Sequence, residues 1–259
     1  MTQSAAERLL KKWFPYGDGP GSGPRLYAVP HAGGAASAYR EWIAELAPAT
    51  RVVPVQLPGR EGRFGEPVAD SVQAVAAEAA QALIEHAQDD PFVLFGHSMG
   101  ALIAFELACV LAEAGRAPSS LVVSGYPAPH LLRESPAVHL MSDDQLRDHL
   151  ASLGGTRAEV LTDSALLELL APTIRADYRL CDSYVCERRT PLEIPVSAIG
   201  GLDDPRVGAK ELLAWARTTT GPFRVRRFPG AHFYLGEQRD EVLGFLLREL
   251  TVARSEPLI

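Results

Sequence analysis

Residues 91–115 read PFVLFGHSMGALIAFELACVLAEAG. The opening run, PFVLFG, is short, continuous and apolar, as a strand buried on both faces would be. ALIAFELACVLAEAG is built from helix formers and stops at Gly115, a common residue just past a helix end. Between them, Gly96-His97-Ser98-Met99-Gly100 fits G-x-S-x-G. A chain passing from strand to helix this sharply needs small residues around the serine. The serine hydroxyl is then held above the sheet, at the start of the helix. The strand–turn–helix setting, more than the pentapeptide itself, predicts a nucleophile elbow with Ser98 at its tip.

The alternation extends in both directions. Residues 25–32, 51–58, 120–125, 194–201 and 223–230 read as further short strands. Residues 38–46, 71–88, 101–114, 209–216 and 237–250 read as helices. Short apolar strands alternating with helices predict an α/β fold with a mostly parallel sheet flanked by helices. Residues 126–190 break the rhythm with helical patterns at 142–152, 164–170 and 172–186 and no good strand. An all-helical insertion between two strands predicts a lid over the C-terminal edge of the sheet, where such folds place ligands. The expected organisation is an N-terminal helix and linker (1–24), a core (25–125 and 191–259) and the lid (126–190). The linker is GDGPGSGP at 17–24.

Length and composition agree with one such domain. The chain has 259 residues, 47% of them hydrophobic. At this size about three quarters of the unfolded surface is buried, so no metal or disulfide is needed for folding. The formal net charge of −7 argues against a general nucleic-acid binder, which needs a broad basic surface. Cys109, Cys181 and Cys186 form no metal-ligand pattern, and an odd, sparse count points to free thiols in a reducing compartment. The N-terminus lacks the apolar run and cleavage site of a signal peptide, and no apolar stretch reaches about 18 residues. A cytoplasmic protein is expected.

A serine nucleophile needs a base. Of seven histidines, only His232 follows the last strand, in a loop that can bring its imidazole over Ser98. His97 is expected to pack beneath the elbow, because successive side chains point apart. In this fold class the acid falls between serine and histidine in chain order. Asp203 and Asp204 both follow the strand at 194–201; Asp204 is preferred and Asp203 is the alternative. Backbone N–H groups must stabilise the developing oxyanion. One is expected from Met99, after the nucleophile, and the other from Ala32 in the loop Pro30-His31-Ala32-Gly33-Gly34.

PHAGG (30–34), LPGRE (57–61), GHSMGALIAFELA (96–108), GGLDDPRV (200–207) and PGAHFYL (229–235) together resemble a type II thioesterase of polyketide or nonribosomal-peptide biosynthesis, within the α/β-hydrolase superfamily. The motifs follow the family's order across nearly the whole chain, and LPGRE is the most specific of them. The resemblance implies an editing enzyme that removes acyl groups from the phosphopantetheine arm of acyl or peptidyl carrier proteins, without metal or bound cofactor. It covers the lid least. There Leu131, Leu132, Met141, Leu146, Leu150 and Tyr178 are candidate apolar liners of an acyl site. Arg60 and Arg63, on the expected active edge, are candidate carrier contacts. Carrier proteins are usually acidic, so an acidic enzyme would have to dock through local patches rather than its overall field. A small-molecule carboxylesterase and a product-releasing thioesterase domain are the alternatives. The initial Met and the lack of an upstream carrier domain favour a free-standing protein, expected to be a monomer.

Overall fold

The computed structural model describes residues 4–131, 137–156, 158–187 and 190–255. The first half of the core comprises α1 (Ala5–Trp13), β1 (Arg25–Val29), α2 (Arg40–Glu45), β2 (Arg51–Pro54), α3 (Val72–Ala87), β3 (Phe92–His97), α4 (Met99–Glu113) and β4 (Ser120–Ser124). Among the described residues, three α-helices follow before the next strand: α5 (Asp143–Leu153), α6 (Ala158–Thr162) and α7 (Ser164–Ser183). The core resumes with β5 (Val196–Gly201), α8 (Ala209–Leu213), β6 (Phe223–Phe228), α9 (Tyr234–Glu237) and α10 (Arg239–Ser255).

The six strands form one parallel sheet in the order β2-β1-β3-β4-β5-β6. Alternation along each strand divides the side chains between two cores. Tyr27, Val29, Leu94, Leu121, Val123 and Ala198 pack with residues of α1, α3 and α4. Leu26, Ala28, Val93, Phe95, Val122 and Ile199 pack with residues of α2 and α10. Burial on both faces is why the interior strands read as largely apolar runs; the edge strand β6, FRVRRF, is only partly buried. β3 lies inside the sheet, with Gly96 level with Val29 on one side and Val123 on the other. The elbow therefore rises from the C-terminal edge of an interior strand. Among the described residues, no helix is long and apolar enough to cross a membrane.

The insertion has a small core of its own, built from Val138, Leu146, Leu150, Leu167, Ala171, Ile174 and Tyr178. α5 opens with a capping box between Ser142 and Gln145. Two expectations change here. The sequence pattern breaks a helix at Pro172, but α7 runs through it. Leu167, Ala171, Ile174 and Tyr178 keep one face of α7 buried, while Pro172 and Glu168 sit on the exposed face, so the ladder bond that proline cannot make is missing on the solvent side. Residues 17–24 are also no loose spacer. Trp13 and Phe14 are buried in the main core, and Asp18 holds Arg25 through two hydrogen bonds of 2.8 and 2.9 Å.

Candidate active site

Ser98 has φ +55°, a left-handed conformation that a non-glycine residue adopts at a cost. The flanking glycines make the turn possible. A Cβ at Gly96 would come within 2.0 Å of the Gly100 carbonyl oxygen, and one at Gly100 within 2.2 Å of that of Val29. The Ser98 N–H is tied to the Ser124 carbonyl at 2.7 Å, which docks the turn on β4.

His232 and Asp204 come from the ends of β6 and β5. The two loops are joined by backbone: Leu202 N–H to Phe228 O at 2.8 Å and Asp203 N–H to Gly230 O at 2.9 Å. They lie so close that a Cβ at Gly201 would strike the Ala231 carbonyl. His232 Nδ1 is 2.8 Å from Asp204 Oδ2, and His232 Nε2 is 3.1 Å from Ser98 Oγ. The second Asp204 oxygen accepts the Arg206 N–H at 2.9 Å. This is the geometry of a nucleophile, a base and a carboxylate that orients the base. Asp203 contributes its backbone to the joint, while its side chain is exposed.

His97 is fully buried, as expected. Its Nδ1 lies 2.8 Å from Ser124 Oγ, which in turn lies 2.7 Å from the Tyr234 hydroxyl. Its ring sits 5.1 Å from that of His232. Burial, with His232 and His31 nearby, drives the His97 imidazole well below its ordinary range. Burial and His232 likewise push His31 down to about 4. Both rings are therefore neutral at pH 7. Unfolding frees His31 to bind a proton at about pH 6.5, so its contribution to stability is complete above that pH and is lost as pH falls toward 4. By pH 5 the loss attributable to His31 is about 2 kcal/mol. Urea unfolding at pH 7 and pH 5 should show His31→Gln losing less stability than the parent by about that amount. Parallel losses would contradict this reading.

A cavity of about 280 Å3 opens onto Ser98, lined also by Ala32, Met99, Leu131, Tyr178, Cys181 and Arg206. Ala32 and Met99 thus stand beside the nucleophile. As the first residue of α4, Met99 has an N–H without an intrahelical acceptor. Leu131 and Tyr178 are lid-side residues facing this cavity. Leu146 and Leu150 are buried in the lid's own core and Met141, partly buried, packs against it; none of the three borders this cavity. Leu132 lies outside the described residues.

The two candidate docking arginines are corrected by the structure. Arg60 is 6% exposed and grips Asp177 through two hydrogen bonds of 2.7 Å. Arg63 is 5% exposed, pairs with Glu66 at 2.8 Å, donates to the Gln56 carbonyl and lies 4.4 Å from the Trp13 ring centre. Both guanidiniums are occupied inside the protein, so a docking partner would not meet them. Asp177 was not a candidate from sequence. The available signal was its place on the buried face of α7, beside Ile174 and Tyr178, where an unpaired carboxylate would be costly.

A model of the thioesterase domain family matches residues 24–250. Gramicidin S biosynthesis protein GrsT of Aneurinibacillus migulanus is 39% identical over 230 residues, covering 87% of this chain and 88% of that protein. The solved structure of the type II thioesterase BorB from the borrelidin biosynthetic cluster is 38% identical, with a TM-score of 0.84, covering 96% of this chain and all of that one. The thioesterase RedJ from the prodiginine pathway of Streptomyces coelicolor is 41% identical, with a TM-score of 0.83, covering 87% and 90%. With a serine hydrolase triad on an α/β-hydrolase fold and these relatives, the chain belongs to the thioesterase family.

Proposed function

We propose that the protein hydrolyses acyl groups held as thioesters on the phosphopantetheine arm of acyl or peptidyl carrier proteins, as an editing enzyme of a polyketide or nonribosomal-peptide pathway. The observation that carries the proposal is the Ser98–His232–Asp204 line opening into a cavity bordered by Ala32 and Met99. The relatives' association with such pathways supports the choice of substrate.

Ser98 Oγ attacks the thioester carbonyl while His232 Nε2 takes the hydroxyl proton. The Ala32 and Met99 N–H groups receive the oxyanion. Asp204 holds Nδ1–H, keeping Nε2 free to accept, and stabilises the imidazolium. Collapse expels the pantetheine sulfur, which is protonated by His232, leaving an acyl-Ser98 ester. His232 then takes a proton from water, which attacks the ester, and returns the proton to Ser98. Every proton movement is handled by His232, so the cycle calls for no cofactor.

Rates on an acyl carrier protein and on the p-nitrophenyl ester of the same acyl group test the substrate. A carrier-dependent enzyme should favour the former in kcat/KM by about tenfold or more, the equivalent of at least 1.4 kcal/mol of extra transition-state binding. Equal or reversed preference would favour a small-molecule carboxylesterase.

A further inference from the structure

The lid and the loop carrying Ala32 meet through a buried ion pair that the cycle above does not use. Asp177 on α7 is fully buried, and Arg60 follows β2. Besides their two mutual hydrogen bonds, both reach into the turn at residues 31–34. Asp177 Oδ2 accepts the Gly33 N–H at 2.8 Å, and Arg60 Nη1 donates to the Gly34 carbonyl at 3.0 Å. The turn itself is closed by Gly34 N–H donating to His31 O at 2.9 Å, with Gly33 at φ +73° in the position where a type II turn requires a left-handed residue. The His31 carbonyl and the Ala32 N–H belong to one planar trans peptide and point in opposite directions. Holding that carbonyl inside the turn therefore aims the Ala32 N–H away from it. On the same side of α7, Ile174 packs against Gly33, where a Cβ would approach it to 3.0 Å.

We infer that Arg60 and Asp177 are positioning residues for the oxyanion hole: they fix the turn that aims the Ala32 amide, and so tie catalytic geometry to the lid helix. A buried pair is poor stabilising material, because desolvation offsets its attraction, but it fixes geometry well. The inference rests on Ala32 being the oxyanion donor in the proposed function.

Asp177→Asn keeps the shape and removes the charge, whereas Arg60→Lys keeps the charge and loses the fork. Thr173→Val deletes a separate contact from α7, the 2.9 Å bond to the Gly59 carbonyl, and controls for lid attachment. Each variant is measured as kcat and KM per active site, counted by end-point labelling with a fluorophosphonate. Affinity for an alkyl boronic acid is read alongside, since its serine adduct places an oxygen in the oxyanion hole. Asp177→Asn and Arg60→Lys should each lower kcat by about 10- to 100-fold with KM within about threefold, part of the 10²–10³ that one oxyanion donor supplies. Boronate affinity should fall by the same factor as kcat, and Thr173→Val should change neither. Near-normal kcat per labelled site, a rise in KM alone, or a loss of kcat with unchanged boronate affinity would each overturn the inference. If Asp177→Asn does not fold, Arg60→Lys decides by the same criteria. If the parent binds the boronate but does not hydrolyse acyl carriers, the substrate reading fails and boronate affinity alone judges the pair.

Discussion

Ser98→Ala should give a folded protein whose thioester turnover has fallen by about 10⁶-fold, the scale seen when a triad nucleophile is removed. Folding should survive because the backbone, not the hydroxyl, holds the elbow. Alanine at φ +55° bears the strain serine already bears, and the glycine clearances and the Ser98 N–H bond to β4 are untouched. The melting temperature should stay within a few degrees, a change of about 1 kcal/mol or less. The substitution removes only the atom that attacks, so kcat falls while the binding cavity keeps its walls. Turnover near the parental rate in freshly purified Ser98→Ala would contradict the assignment.

Asp204→Asn should lower kcat by about 10⁴-fold through the tautomer rather than the shape of the site. Asp204 Oδ2 now faces His232 Nδ1 at 2.8 Å, and a carboxylate there can only accept. That places the proton on Nδ1 and leaves Nε2, 3.1 Å from Ser98 Oγ, as the acceptor. The other oxygen already accepts the Arg206 N–H, so an asparagine would keep its carbonyl toward Arg206 and turn its NH₂ toward Nδ1. The histidine proton would then sit on Nε2, where it cannot take one from serine. Asp203→Asn supplies the contrast: its exposed side chain takes no part, so activity should change by about twofold or less, as for an ordinary surface substitution. A reversal of the two results would assign the acid to Asp203.

The parts legible in sequence were those that steric fit, chain order or burial writes into residue identity. Gly96 and Gly100 have to be glycine because backbone oxygens occupy the space of a Cβ. His232 could be found because chain order and strand ends left one histidine in reach. The sheet was legible because burial on both faces makes the interior strands β1, β3, β4 and β5 largely apolar runs, whereas the edge strand β6, FRVRRF, is only partly buried. What could not be read was which polar groups face each other across long sequence separation. Arg60 lies on the active edge, as its place after a strand implied, yet Asp177, 117 residues later, claims it. Arg63 is covered by the distant Trp13 ring, and its pairing with Glu66 is a local one, three residues on. The continuity of α7 through Pro172 depended on packing of its inner face, which a local rule about proline does not contain.

In the proposed cycle acyl groups pass from thioester to Ser98. Rapid quenching of the enzyme with an acyl carrier protein, followed by peptide mass analysis, tests it most directly. The acyl mass should appear on the peptide containing Ser98 and decay at the rate of product release, and it should be absent in Ser98→Ala. Acyl transfer to Cys181 or Cys186, whose residues line the same cavity, or hydrolysis with no adduct in a Ser98→Ala enzyme that still turns over, would contradict the account.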